Sequence, residues 1–299
     1  MRLLALANPR AGRGAGLRRL AHYRSLPSPH AVEWVAATSA DDIRTRIHGA
    51  SERGVEGILV IGGDGTLNDA LGPLLESGLP FAVLPAGRGN DFVRNAGLGR
   101  GGADRVLSSE QLTVRALDVA MVNQRPYASV AGVGFDGVVT RLANRGGGLV
   151  GGTAGYVVSV LRALTAFRPW TVEVVVDEWT WRGDVALVAV ANGPCFGGGM
   201  MIAPGACMDD GLLDVCIVGA MARGRLLAEF PKIFWGGHTG HPAVQLRRGR
   251  AVRVSTAEPE DIYADGEWAG RTPGAWSVER CALNMLVPPG RAISGDAGP

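Results

Sequence analysis

One stretch constrains the fold of this chain more than any other: Ile58 to Asp69, reading ILVIGGDGTLND. An apolar run ends in Gly62 and Gly63, a carboxylate (Asp64), a further glycine (Gly65) and a hydroxyl (Thr66). Leu67, Ala70, Leu71, Leu74 and Leu75 then recur at helical spacing. The pattern predicts a buried strand, a tight turn and a helix start. Glycines at such a turn let an anion approach the main chain, and the positive end of the following helix faces that anion. Asp64 cannot itself hold a phosphate, because two anions repel, so it fits only with a bound cation or as a base. A plain glycine-rich turn with an aspartate N-cap is the alternative.

The same alternation recurs on both sides of this stretch. Leu3–Ala7 reads as a first strand, followed by the glycine-rich 8–16 (NPRAGRGAG) and a helix through Leu17, Leu20 and Ala21. Because Leu17 stands where its last glycine would be, the dinucleotide fingerprint fails. Val32–Ala36 gives a second strand, with Thr38 beyond it and Ser39 as N-cap of a helix through Ile43 and Ile47. Pro80–Leu84 is a fourth strand, ending in PAGRGND (85–91) before a helix over Phe92–Ala96. Strands alternating with helices predict a mainly parallel, doubly wound α/β sheet, with loops 8–16, 38, 62–68 and 85–91 gathered at one crevice.

After Leu112 the texture changes to many short extended runs: Val114–Val122, Tyr127–Val133, Thr171–Val176, Val185–Ala191, Leu212–Val218, Ala243–Leu246, Val252–Ser255, Ile262–Ala264 and Cys281–Val287. Helices are expected from Asp136 through Leu142 and over Ala154–Phe167. The expected division is a nucleotide-binding α/β domain over 1–116 and a β-rich, sandwich-like domain over 117–287, with the tail 288–299 packing back on the first.

Composition narrows the function. A net charge of +2 is too small to argue for a nucleic-acid partner. Lys232 is the only lysine, which removes the Walker A loop and the protein-kinase strand lysine. Cys195, Cys207, Cys216 and Cys281 have no CxxC spacing, so neither zinc nor a disulfide framework is indicated. Without a signal-peptide pattern or an apolar run of ~20 residues, the expected place is the cytoplasm.

In their order, NPRAG (8–12), GGDGTLND (62–69), LPAGRGNDFVRNAGL (84–98), GVGFDG (132–137), APGACMDDGLLDV (203–215) and YADGE (263–267) resemble the diacylglycerol kinase/sphingosine kinase superfamily, and within it the small bacterial lipid kinases. The first domain is then similar to that of NAD kinases and phosphofructokinases. The resemblance implies ATP- and Mg²⁺-dependent phosphorylation of a lipid hydroxyl, such as that of diacylglycerol. It also implies a protein acting peripherally on the inner membrane surface, with a homodimer a fair expectation. Gly62, Gly63, Asp64, Gly65, Thr66, Leu67 and Asn68 match the segment around the ATP phosphates, joined by Arg88 and Asn90, while Asn8 and Thr38 match positions near the nucleotide's sugar and base. Asp64, Asp91 and Asp118 match aspartates that hold Mg²⁺ through waters. Asp265 and Glu267 match the catalytic pair, of which either can be the base. The carbonyls of Cys207 and Leu212 and the side chain of Asp210 match a second, structural Mg²⁺ or Ca²⁺ loop, for which an Asp-Gly hairpin is the alternative.

One departure stands out: Arg88 occupies the family's threonine position. A guanidinium there either pairs with a phosphate or blocks the site. The segment from Arg223 to Trp235 mixes arginines with Leu226, Leu227, Phe230, Ile233, Phe234 and Trp235, as an interfacial helix or a core helix would. His238 and His241 lack a third ligand and read as a solvent loop. Two other readings remain: an NAD or sugar-phosphate kinase sharing the GGDGT turn, and a silent module that binds nucleotide or lipid without turnover.

Overall fold

Uniformly apolar strands in the N-terminal half of the chain are covered on both faces. The computed structural model describes residues 1–99, 101–134 and 169–289, apart from the side chains of Arg13 and Ala15. The helices expected around 136–142 and 154–167, and most of the tail 288–299, lie outside the described residues. The chain divides into two units: Met1–Asp118 with Arg280–Pro299, and Val119–Glu279. The boundaries therefore fall inside two strands, β5 (Thr113–Val122) and β17 (Gly274–Val287). Residues 280–287, expected with the second domain, include Met285, which pairs in parallel with Phe81 of the first unit's sheet.

In the first unit β1 (Arg2–Ala7), β2 (Ala31–Ala36), β3 (Gly57–Gly62) and β4 (Phe81–Pro85) pair in parallel in the order β2-β1-β3-β4. The helices α1 (Ala15–Ser25), α2 (Ala40–His48) and α3 (Asp64–Ser77) link them in turn. Leu3, Ala5, Leu59, Ile61, Ala82 and Leu84 pack with Tyr23 of α1 and with Val106 and Leu107 of α5 (Gly102–Ser108). Leu4, Leu6, Ile58, Val60 and Phe81 are equally buried. Burial on both faces is why these strands show no polar alternation. Ser39 caps α2 as the sequence predicts, its Oγ accepting the Asp42 N–H at 3.1 Å. Chain order and strand order diverge between β1 and β3, so the ligand crevice of such a sheet opens at the carboxyl ends of these two strands.

The second unit is antiparallel and organised around β9 (Trp179–Ala191). Its first half pairs with β8 (Trp170–Val176), which pairs in turn with β14 (Ala251–Thr256). Its second half lies between β7 (Val130–Gly134) and β12 (Leu213–Gly219). Val185, Val188 and Val190 enter one core with Val172, Val174, Val215 and Trp276, while Ala186, Ala189 and Ala191 enter another with Met200, Ile202 and Cys216. The parity changes because a register shift opposite Val218 and Gly219 inserts one residue. Beyond β12 come β13 (Val244–Gly249) and, on the far side of β7, the hairpin of β15 (Asp261–Ala264) and β16 (Glu267–Arg271). The result is the sandwich-like β unit that the sequence predicts. Among the described residues no helix is long and apolar enough to cross a membrane.

Candidate functional site

At the crevice of the first unit the chain closes on itself through polar contacts at the ends of β1 and β3. Asn8 follows β1 directly. Its main-chain N–H donates to Ile61 O at 2.9 Å, and its Nδ2 donates to Thr66 Oγ1 at 3.0 Å. The Thr66 hydroxyl is thus a lock between two loops. Gly62 must lack a side chain here, since an added Cβ would lie 2.4 Å from Thr66 Cβ. Thr66 and Leu67 begin the α3 ladder by donating to Gly63 O at 3.0 and 3.1 Å, so the N–H groups of Asp64 and Gly65 precede it at the positive helix end. Gly65 is exposed, Asn68 half-buried and Leu67 buried in the core. Thr38 is exposed at the end of β2, its N–H donating to Asp42 Oδ2 at 3.3 Å.

The loop after β4 is bound to the GGDGT turn. Ala86 N–H donates to Gly62 O at 2.8 Å, and a Cβ on Gly87 would lie 2.5 Å from Gly63 Cα. Asn90, at a left-handed φ of 51°, folds its amide back so that Oδ1 accepts from Gly87 N at 3.1 Å and Nδ2 donates to Gly87 O at 3.0 Å. Its side chain therefore shapes the loop. Asp64 is the first residue of α3, with Gly63 as N-cap, which corrects the plain N-cap reading. Its Oδ1 instead accepts the N–H of Phe92 at 3.2 Å, in the first turn of α4 (Asp91–Asn95).

Burial, then the neighbouring Asp91 carboxylate, push the Asp64 carboxyl above its ordinary pKa, against the opposing pull of the N–H groups of Phe92, Asp91 and Asn90. Asp91 is buried and paired with Arg94. Two crowded carboxylates whose repulsion a cation would relieve fit a hard divalent ion held partly through water. Among the described residues no cluster of three or more His, Cys, Asp or Glu is spaced to share one ion. Asp118, 1% exposed, accepts the Cys281 N–H at 2.8 Å. Arg88 is exposed and makes no hydrogen bond or ion pair among the described residues.

In the second unit, Asp265 (φ 47°) and Gly266 (φ 86°) form a two-residue hairpin turn in which Ala264 pairs with Glu267. Both left-handed residues mark it as type I′. The turn breaks the shared-face relation that two strand positions would have. Asp265 accepts three backbone N–H groups: Ala128 on Oδ2 at 2.6 Å, Ser129 on Oδ1 at 3.0 Å and Val130 on Oδ1 at 3.1 Å. Glu267 is exposed. The sequence reading missed Asn192, whose Nδ2 donates to Ala128 O at 3.0 Å and whose N–H donates to Ser129 O at 2.8 Å. Its signal was the Asn-Gly that ends the apolar run 185–191.

In the Cys207–Leu212 loop the one side-chain ligand that the resemblance implies, Asp210, is already engaged within the protein. Asp210 Oδ1 accepts the Leu212 N–H at 3.0 Å, and Oδ2 is paired with the Arg248 guanidinium. Cys207 donates its thiol to Asp209 Oδ1 at 2.9 Å. Burial raises the Asp214 carboxyl above its ordinary range and outweighs the lowering by Arg248 beside it. The solvent-loop reading of the histidines also fails for His238, which is buried with Nε2 3.2 Å from Ile202 O. In α6 (Arg223–Glu229) and the turn Phe230–Trp235, Leu226, Phe230, Ile233 and Phe234 pack on the core, leaving Leu227 39% and Trp235 65% exposed.

Residues 2–122 match the diacylglycerol kinase catalytic domain, and 129–287 match the YegS C-terminal NAD kinase beta sandwich-like domain. A diacylglycerol kinase of Mycobacterium tuberculosis is 32% identical over 297 residues, covering 96% of this chain and 95% of that protein. One from Bacillus subtilis is 27% identical over 86% of each chain. The crystal structure of a diacylglycerol kinase from Bacillus anthracis superposes with a TM-score of 0.72 over 96% of this chain and 97% of that one; at 20% identity this shows the fold alone.

Proposed function

The chain belongs to the diacylglycerol kinase family and is a lipid kinase, and on that premise we propose that it transfers the terminal phosphate of ATP to a lipid hydroxyl, diacylglycerol being the first candidate. The observation that carries this reading is the meeting of the GGDGT and GRGND turns, through Gly63 and Gly87, at the crevice of the parallel sheet. The two turns bring the exposed start of α3, the Asp64–Asp91 pair and the exposed Arg88 into one loop cluster. Phosphoryl transfer needs chiefly positioning and charge neutralisation, which are what such a cluster offers.

Residues 62–68 cradle the phosphates in this reading, Arg88 adds a charged donor, and Asn8 and Thr38 lie toward the sugar and base. Asn90 contributes by holding the loop. Asp64 and Asp91 would hold Mg²⁺, which when bound neutralises charge on the phosphates; Asp118 is assigned to that ion, through water, by the family resemblance alone. Glu267 takes the proton of the lipid hydroxyl, because its carboxylate is exposed while both Asp265 oxygens are engaged by backbone N–H groups. Asp265 is then a positioning residue.

The lipid implies peripheral contact with a membrane. Trp235 and Leu227, exposed beside Arg223 and Arg225, are the apolar and basic groups for it, and a homodimer belongs to the same reading. The test is transfer of labelled phosphate from Mg·ATP into a total bacterial lipid extract, with Glu267→Gln as control. A labelled lipid that disappears in the control is the expected result. Label in NAD or a sugar, or none anywhere with ATP still bound, would overturn it. Sedimentation with anionic vesicles, alone and for Trp235→Ala, tests the membrane contact, and light scattering tests the dimer.

A further inference from the structure

Arg248 sits on β13 directly opposite Asp214 of β12 in the antiparallel register. From there its guanidinium reaches two carboxylates. Nε donates to Asp214 Oδ2 at 3.3 Å, and a terminal nitrogen is paired with Asp210 Oδ2. Asp210 belongs to the loop entering β12 and holds the turn by accepting the Leu212 N–H. The Asp214 side chain is only 7% exposed, that of Asp210 28%. Two carboxylates this close, one of them buried, demand a positive partner.

We propose that the Arg248 guanidinium is the resident cation of the 207–214 loop, standing where the resemblance implies a divalent ion, so that this loop folds without a metal. A planar fork with donors on separate nitrogens reaches two carboxylates from one side chain and stays charged at any physiological pH. Covalent attachment to the neighbouring strand makes this cation permanent and independent of metal concentration. The proposal concerns the architecture of the loop and stands whether or not the chain phosphorylates a lipid.

Thermal unfolding of the nucleotide-free protein, in chelator and then in millimolar Mg²⁺ or Ca²⁺ at matched ionic strength, tests it. The wild type is expected to melt at the same temperature throughout. Arg248→Met is expected to melt about 2–4 °C lower and to regain stability when either ion is added, a gain absent from the Arg248→Met/Asp210→Asn double variant. Should Arg248→Met fail to fold, the wild-type comparison with Asp210→Asn decides alone. A wild-type melting temperature that rises with either ion, and no longer rises in Asp210→Asn, would overturn the proposal. An Arg248→Met that melts like wild type, or that is destabilised yet unresponsive to both ions, would do so equally.

Discussion

Gly63 and Gly87 lie so close that a Cβ built on Gly87 would stand 2.5 Å from Gly63 Cα. The obstacle is backbone, which cannot rotate away, so the GGDGT and GRGND turns can meet only if residue 87 is glycine, while a Cβ on Gly63 would make a tight 3.0 Å contact with Gly87 Cα. Gly87→Ala should cost about 1–3 kcal/mol of stability in the first unit and weaken nucleotide binding with it. Gly72→Ala is the control. It lies within α3 with nothing inside 4 Å of an added Cβ, so it should stabilise by about 0.5–1 kcal/mol. Denaturant melts with and without Mg·ATP check both. Equal effects from the two alanines would contradict the close approach.

Asp64 gives a pH signature. Its folded pKa is raised, first by burial and then by Asp91. Its contribution to stability is therefore full below the ordinary carboxyl value of ~3.9 and is lost as pH rises through the higher folded value. Asp64→Asn keeps an acceptor for the Phe92 N–H and carries no charge. The ligand-free variant should thus match or exceed wild-type stability at neutral pH, with the difference shrinking toward acid, while lipid phosphorylation is lost. A melting series across pH reads the sign directly, and a variant less stable at neutral than at acid pH, relative to wild type, speaks against it.

Asp265 and Glu267 should separate by stability as well as by rate. Glu267→Gln is expected to lower kcat by roughly 10²- to 10⁴-fold with an unchanged melting temperature. Asp265→Asn removes an acceptor oxygen from three buried N–H groups and should cost about 1–3 kcal/mol together with activity. Steady-state kinetics paired with calorimetry distinguish the two. A stable, inactive Asp265→Asn beside a fully active Glu267→Gln would reverse the roles.

Arg88→Ala should weaken ATP binding by roughly 10- to 100-fold, the value of a charge-assisted hydrogen bond to phosphate. Calorimetric titration with Mg·ATP measures it. An unchanged affinity removes Arg88 from the phosphate site, and a tighter one makes it an obstacle.

Much of the first unit was legible in the sequence because its signals are local. The Ile58–Asp69 run, the Ser39 cap and the glycine-rich strand ends each report through neighbours in the chain. The β-rich character of the second half was legible for the same reason. Strand extents were less so: β9 starts at Trp179 and β17 at Gly274, since exposed positions such as Thr180 and Arg182 gain strand geometry only from their partners.

The roles within the site divide along the same line. By itself the sequence determined which residues stand at the carboxyl ends of the parallel strands, and so where carboxylates and helix starts would gather, because period and turn chemistry are properties of short segments. Only the tertiary structure decided what each side chain does, there and in the second unit. Asp64 caps a helix 28 residues away, Asp265 holds backbone groups 135 to 137 residues away, and Arg248 occupies the carboxylate of Asp210 from a neighbouring strand. Such partners are set by sheet register and packing, which sum contributions from the whole chain and leave no mark on spacing within any one stretch.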